Sequence, residues 1–303
     1  MTTPEPLSVR AQDGALLWGE FHPPPTPPPW PAMLFLHGSG GLLRWHQRYV
    51  NLLSSEGVAV AMLDHFRPRG LSRTVHDQEA LTSERMAGDA HAAAAVLSAD
   101  PRIDPARLAV MGVSKGGSAA WRAALRRFAG PHRFALHLAL YPGCETRYAD
   151  MTTTGGPVVF IVGLADTYTC PQACFDLVPL LRAGGSPVEI YGLPAAPHGW
   201  DSGAGRWHDA KGVSYAGCRF IEISPGLWRE ERSGATWAAG DAEGRRRAVE
   251  RCRTFGVSGG GCAESRRQSD AILRAWVSAA LLRRGQAEIN FPTTVGQNPA
   301  GLA

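Results

Sequence analysis

The chain carries little charge for its size, almost no lysine, few cysteines and no long apolar run. Asp, Glu, Lys and Arg make up 19% of its 303 residues, against a usual share of about 25%. The 31 basic and 27 acidic residues leave a net charge of +4. That charge is spread along the chain rather than gathered in blocks, so nothing calls for nucleic acid as a partner. Lys115 and Lys211 are the only lysines; every other basic residue is arginine. No stretch approaches the roughly 18 apolar residues that a membrane span requires. Six cysteines are too few for a disulfide scaffold and follow no zinc-ligand spacing. The opening residues, MTTPEPLSVRAQDG, lack a basic stretch followed by an apolar one, so no signal peptide is visible. A reduced, cytoplasmic protein is the default expectation, with an exported or periplasmic address if the cysteines are bridged. Apolar residues, by contrast, are plentiful: 44% are hydrophobic, enough buried surface to exclude a disordered chain.

Short apolar, β-branched runs alternate with longer segments of helical period, the pattern of an α/β protein with a mostly parallel sheet. Residues 6–10 and 15–21 flank an A-Q-D-G turn and predict an opening hairpin. The proline-rich HPPPTPPPWP at 22–31 reads as a polyproline-like surface connection. Further strands are expected at 32–37, 58–64, 107–112, 134–141, 157–163 and 187–192, with helices near 43–56, 79–98, 115–128 and 171–183. Each strand is a continuous apolar run, as when both faces of a sheet are covered. From 202 to 265 the pattern breaks down into Gly, Arg and Trp, with one charged helical stretch near 241–254. A last amphipathic helix is expected near 267–283. A length divided by about 150 residues suggests two domains. The pattern instead predicts one core, 1–201 and 266–284, an irregular insertion at 202–265 and a tail at 285–303.

The motif G-x-S-x-G occurs twice, at Gly112–Gly116 around Ser114 and at Gly256–Gly260 around Ser258. The pattern alone is weak, and context separates the copies. A nucleophile elbow needs a strand that ends in a tight turn and passes at once into a helix. RLAVMG before Ser114 and SAAWRAALRRF beyond it meet that requirement. Ser258 follows a charged, helix-like stretch, lies downstream of every plausible catalytic His and Asp, and reads as a glycine-loop residue.

A serine hydroxyl needs a base, and the base needs an orienting group. His198, in the loop after the last predicted strand, is the candidate base. Asp166, just past strand 157–163, is the candidate acid, with Asp150 and Glu145 as the fallback. Donors to a developing oxyanion are expected from the backbone of Lys115, which follows the nucleophile, and of Ser39 or Gly40 in the loop His37–Gly41. That loop lacks the G-K-[ST] ending of a phosphate-binding P-loop. Oxyanion loop, serine, aspartate and histidine each follow their own predicted strand, and this joint order is far more specific than either motif copy.

At this point the chain resembles the α/β-hydrolase superfamily, and within it the dienelactone-hydrolase-like group. The resemblance is carried by LFLHGSGG at 34–41, LDHFRPRG at 63–70, DAHAAAAVLSADPRIDPARLAVMGVSKGG at 89–117, VGLADTYT at 162–169 and APHGWD at 196–201. It implies an α/β-hydrolase fold: a mostly parallel, twisted sheet of about eight strands with helices on both faces. It implies a Ser114–His198–Asp166 triad hydrolysing a small carboxylic ester or lactone without metal or cofactor. Dienelactone hydrolases proper carry a cysteine nucleophile, so the serine here leans towards a broader esterase. The G-V-S-K-G-G elbow also resembles acyl-CoA thioesterases and acyltransferases, which is the alternative. A catalytically inactive hydrolase fold serving as a binding protein is the rival from another class.

Arg44, Arg48, Arg67, Arg69 and Arg73 lie in loops at the sheet's carboxyl edge, and one or two are expected to bind a substrate carboxylate. Tyr168 and Trp200 flank the predicted triad members and are expected pocket walls. The resemblance further implies a Cys144–Cys174 bridge, since exported relatives place cysteines there. Cys218, Cys252 and Cys262 would then staple the insertion, with Cys170 or one of these three unpaired. The insertion itself is a candidate lid over the site.

Overall fold

The computed structural model describes residues 3–282. The tail at 285–303 and the last two residues of the 266–284 segment lie outside them. Along the chain run β1 (Glu5–Arg10), β2 (Leu16–His22), β3 (Trp30–Leu36), α1 (Gln47–Ser54), β4 (Ala59–Asp64), α2 (Ser83–Ala99), β5 (Ile103–Val113) and α3 (Lys115–Arg122). β6 (His137–Leu140), β7 (Thr146–Arg147), β8 (Val158–Gly163), α4 (Pro171–Ala183) and β9 (Val188–Leu193) follow. Eight strands form one sheet in the order β1-β2-β4-β3-β5-β6-β8-β9. β1 and β2 are antiparallel to their neighbours, and the pairs from β4 to β9 are parallel.

Alternation along β3 shows how the apolar runs are used. Ala32, Leu34 and Leu36 pack on one face with Ala87, Ala90 and Ala94 of α2 and with Ala119 and Ala120 of α3 and Ala123 just beyond it. Met33 and Phe35 face the other side, against Tyr49 and Leu53 of α1 and the closing helix α6 (Ala263–Val277). With both faces covered, neither set can be polar, which is why the strands read as unbroken hydrophobic runs. The parallel strands all present their carboxyl ends to one edge, and the site is built there.

The proline-rich stretch needs a correction, because Trp30 and Pro31 belong to β3 rather than to the connection before it. Register shifts between Trp30 and Ala32, so the strand accommodates a proline where its regular pairing is interrupted.

Residues 202–265 are not irregular. They contain β10 (Trp207–Ser214), β11 (Phe220–Ser224), β12 (Leu227–Glu230), β13 (Thr236–Ala238), α5 (Ala242–Glu250) and β14 (Thr254–Gly259). β10 pairs with β14, while β13, β12 and β11 form a small sheet that joins β7 of the core. Antiparallel ribbons with one solvated face carry polar residues at alternate positions. A search for continuous apolar runs therefore passes over them. Their own small core consists of Cys218, Phe220, Trp237, Ala248 and Val249.

Two disulfides form, Cys144–Cys174 and Cys218–Cys252, and Cys170 and Cys262 are free. The bridge implied by resemblance is present; of the three cysteines expected to staple the insertion, Cys262 does not take part. Cys218–Cys252 closes a sequence separation of 34 residues around a core of only a few side chains. Replacing both cysteines by serine is expected to destabilise the protein by about 3 kcal/mol through the restored freedom of the unfolded chain. A denaturant midpoint unchanged from wild type would contradict this.

Candidate active site

Strand β5 ends at Val113, α3 begins at Lys115, and Ser114 alone makes the turn between them. Its φ of 53° and ψ of −120° are sparsely populated for a side chain with a Cβ and are held only by a surrounding structure that leaves no alternative. The flanking glycines make the turn possible. A Cβ on Gly112 would lie 2.2 Å from the backbone of Gly116, and one on Gly116 would lie 2.1 Å from the Leu36 carbonyl oxygen. The spacing G-x-S-x-G is thus a packing requirement at three backbones crossing within one turn.

Three of the predicted site residues meet. His198 Nε2 lies 3.0 Å from Ser114 Oγ, and His198 Nδ1 lies 2.8 Å from Asp166 Oδ2. An ionised carboxylate can only accept, so the proton sits on Nδ1 and Nε2 is left to accept from the serine hydroxyl. Asp166 also accepts from the backbone N–H groups of Tyr168 (2.8 Å) and Thr169 (3.0 Å) and from the Thr169 hydroxyl (2.8 Å). Burial opposes its ionisation, but His198 and these donors hold its carboxyl below the usual range. The His198 ring lies between Tyr141 and Tyr168, with centroids 4.9 and 4.6 Å away. Tyr141 is in turn anchored by its hydroxyl to the fully buried Asp201, at 2.7 Å. Of the fallback acids, Asp150 is exposed and bonds the backbone of Thr152, whereas Glu145 sits in the cavity described below.

The loop from His37 to Gly41 passes over the serine so closely that a Cβ on Gly38 would lie 3.2 Å from Ser114 Cβ. Ser39 and Lys115 both line the cavity beside Ser114, whereas Gly40 is not among its lining residues. Gln78 ties the parts together. Its amide accepts from the Ser39 hydroxyl (2.9 Å) and donates to the Tyr168 hydroxyl (3.0 Å), and its backbone carbonyl accepts from Lys115 Nζ (2.7 Å). Sequence patterning did not single out Gln78, because it lies in a turn between elements with no motif of its own.

The cavity at Ser114 has a volume of about 80 Å³ and is lined by charged and apolar groups alike. Its walls include Glu79, Glu84, Glu145, Arg122 and Tyr168 from the core. The insertion supplies Val213, Tyr215, Ala216 and Arg245 and so forms part of the roof. Ser214 fastens that roof by donating from its hydroxyl to the Tyr168 carbonyl, at 2.8 Å.

The arginines expected to meet a substrate carboxylate do not line this cavity. Arg69 is engaged by Asp89 and Asp13, Arg48 by Asp270, and the exposed Arg67 pairs with Asp64. Arg44 and Arg73 are exposed. A guanidinium binds whichever carboxylate the fold brings beside it, so placement in an edge loop does not aim it at the site. Trp200 is also displaced from its expected role: it is fully buried, packs edge-to-face against Tyr141 and donates from Nε1 to Ser269 Oγ at 3.0 Å. Ser258 lies within β14 rather than in a glycine loop, paired across the ribbon with His208, whose Nδ1 is 2.9 Å from its Oγ.

The sheet order, the elbow at the carboxyl end of β5 and the loops gathered above it define an α/β-hydrolase. The sequence profile described as the dienelactone hydrolase family matches residues 20–218, and the chain belongs to that family, as a carboxylic-ester hydrolase acting on a small molecule. Solved structures share the fold at low identity. A protein titled as a dienelactone hydrolase from Klebsiella pneumoniae subsp. pneumoniae MGH 78578 is 17% identical with a TM-score of 0.56, covering 66% of this chain and 88% of its own. A dienelactone-hydrolase-like promiscuous phosphotriesterase from metagenomic libraries is 20% identical, with a TM-score of 0.51 and coverage of 66% and 85%. Esterase 2 of Thermogutta terrifontis, in its apo form, is 16% identical, with a TM-score of 0.52 and coverage of 66% and 86%. No curated protein matches the chain.

Proposed function

We propose that the protein hydrolyses a short carboxylic ester or lactone through an acyl-enzyme on Ser114. The observation that carries this reading is the continuous relay of 3.0 and 2.8 Å from Ser114 through His198 to Asp166. In the first step Ser114 Oγ attacks the carbonyl carbon while His198 Nε2 takes the hydroxyl proton. Asp166 keeps the imidazole in the required tautomer and stabilises the imidazolium. The backbone N–H groups of Lys115 and Ser39 receive the oxyanion. Collapse expels the alcohol, protonated by His198, and water activated by the same histidine then releases the acid. With a lactone the alcohol freed in the first step stays tethered to the acyl group throughout, and water releases a hydroxy acid.

Cavity size bears on the substrate. A water needs about 10–15 Å³ on the same scale, so a space of about 80 Å³ buries a short chain and leaves the rest of a longer one in solvent. Across p-nitrophenyl esters from acetate to decanoate, kcat/KM is expected to fall roughly tenfold or more beyond butanoate, each excluded methylene forfeiting its burial. The matching acyl-CoA thioesters are expected to be the poorer substrates. Rising activity towards decanoate, or a preference for acyl-CoA at equal acyl length, would replace this reading with the thioesterase one.

A further inference from the structure

Six charged side chains line the cavity at Ser114: Glu79, Glu84, Glu145, Lys115, Arg122 and Arg245. Five are engaged. Arg245 and the Tyr215 hydroxyl both donate to Glu79. Tyr148 donates to Glu84 at 2.8 Å, with Arg122 Nε 3.3 Å from the same oxygen. Burial alone would raise the Glu84 carboxyl, but Arg122 and Arg245 bring it down to about 2. Arg122 further donates to the Tyr148 hydroxyl and the Ser118 carbonyl. Lys115 spends its ammonium on two backbone carbonyls, those of Gln78 and Leu81, at 2.7 and 2.6 Å.

Glu145 differs. Its carboxylate has neither a hydrogen bond nor an ion pair among the described residues, although it is half-buried beside the nucleophile. The backbone beneath it is fixed on every side. Cys144 is bridged to Cys174, Thr146 lies in β7, and the Glu145 carbonyl accepts from Phe220 N–H at 2.8 Å. Gly143 is held by Trp121 Nε1 on its carbonyl (3.1 Å) and by Ser118 Oγ on its N–H (2.7 Å). The Glu145 side chain lies close over Gly143, where an added Cβ would come within 2.6 Å of Glu145 Oε2. Lys115 and Arg122 feel this carboxylate only through space, so its oxygens keep their capacity to accept from a donor carried by a bound molecule.

We propose that Glu145 selects the substrate by receiving a primary ammonium group carried on the short chain that enters this cavity. The inference rests on the ester-hydrolase reading of Ser114. An ammonium placed there gains a charge-assisted hydrogen bond. A carboxylate substrate, by contrast, would face Glu145 directly, while Arg122 and Arg245 are already matched by Glu84 and Glu79.

Three methyl esters of equal length separate charge from shape: methyl 3-aminopropanoate, methyl 3-hydroxypropanoate and methyl butanoate, assayed by pH-stat at pH 7. The wild-type protein is expected to favour the amino ester over both others by roughly tenfold or more in kcat/KM. In Glu145→Gln that ratio is expected to collapse towards one. Equal ratios in the two proteins, or a hydroxy ester matching the amino ester, would overturn the proposal. A second measurement needs no variant: propylammonium should slow labelling of wild-type Ser114 by a fluorophosphonate, and propanol at the same concentration should not. Equal protection by both would likewise overturn it. If Ser114 is labelled and methyl butanoate is cleaved without a cationic preference, only the role of Glu145 falls. If Ser114 takes no label and no ester is cleaved, the hydrolase reading falls with it.

Discussion

Ser114→Ala is expected to lower kcat/KM for p-nitrophenyl butanoate by about a million-fold, leaving only what the oxyanion donors and binding supply. Ser258→Ala, made in the same motif pattern, is expected to leave activity within about twofold, since surface substitutions away from the site are close to neutral. The contrast follows from geometry. Ser114 occupies a single-residue turn at the head of α3, 3.0 Å from a histidine that is itself oriented by a buried carboxylate. Ser258 lies in the exposed β10–β14 ribbon, and its partner His208 has no carboxylate bonded to its other nitrogen among the described residues. A fluorophosphonate reporter checks both at once: labelling should vanish in Ser114→Ala and persist in Ser258→Ala. Label that survives Ser114→Ala would place the nucleophile elsewhere.

Asp166→Asn should cost about ten thousand-fold in kcat, with little change in folding. An asparagine oxygen can still accept the two backbone N–H groups of Tyr168 and Thr169, so the turn after β8 keeps its shape. What changes is the group facing His198 Nδ1. An amide N–H there favours the tautomer with its proton on Nε2, and that nitrogen can no longer accept from Ser114. Thermal unfolding and steady-state kinetics on the same preparation separate the two effects. A loss below tenfold at unchanged stability would remove Asp166 from the relay. The double variant with Ser114→Ala should be no less active than Ser114→Ala alone, because the three groups act as a unit.

Much of this was legible from residue order. Four functional segments each follow a predicted strand, and parallel strands carry such segments to one edge, so linear order became spatial proximity. Gly112 and Gly116 were readable for the same reason: a turn this tight tolerates no Cβ, whatever surrounds it. Charged side chains were harder. Arg67 and Arg69 were placed in the right loops but given the wrong partners, because Asp64, Asp89 and Asp13 reach them first. Glu145, a fallback acid by chain order, lines the cavity, but Asp166 is the carboxylate bonded to His198. Trp200 lies two residues from His198 in sequence, yet its large ring turns into the core against Tyr141.

The sequence by itself determined the sheet and the elbow and brought forward Ser114, His198 and Asp166 as the candidate relay, since these depend on local backbone geometry and on apolar periodicity. Tertiary structure alone decided the character of the cavity. Its walls combine Glu79 and Glu84 before β5, Arg122 after it, and Tyr215 and Arg245 from the insertion. No periodicity connects such distant positions. Which of these charges is paired, and that the Glu145 carboxylate has no hydrogen bond among the described residues, depends on packing distances of a few ångströms that exist only once the insertion closes over the sheet.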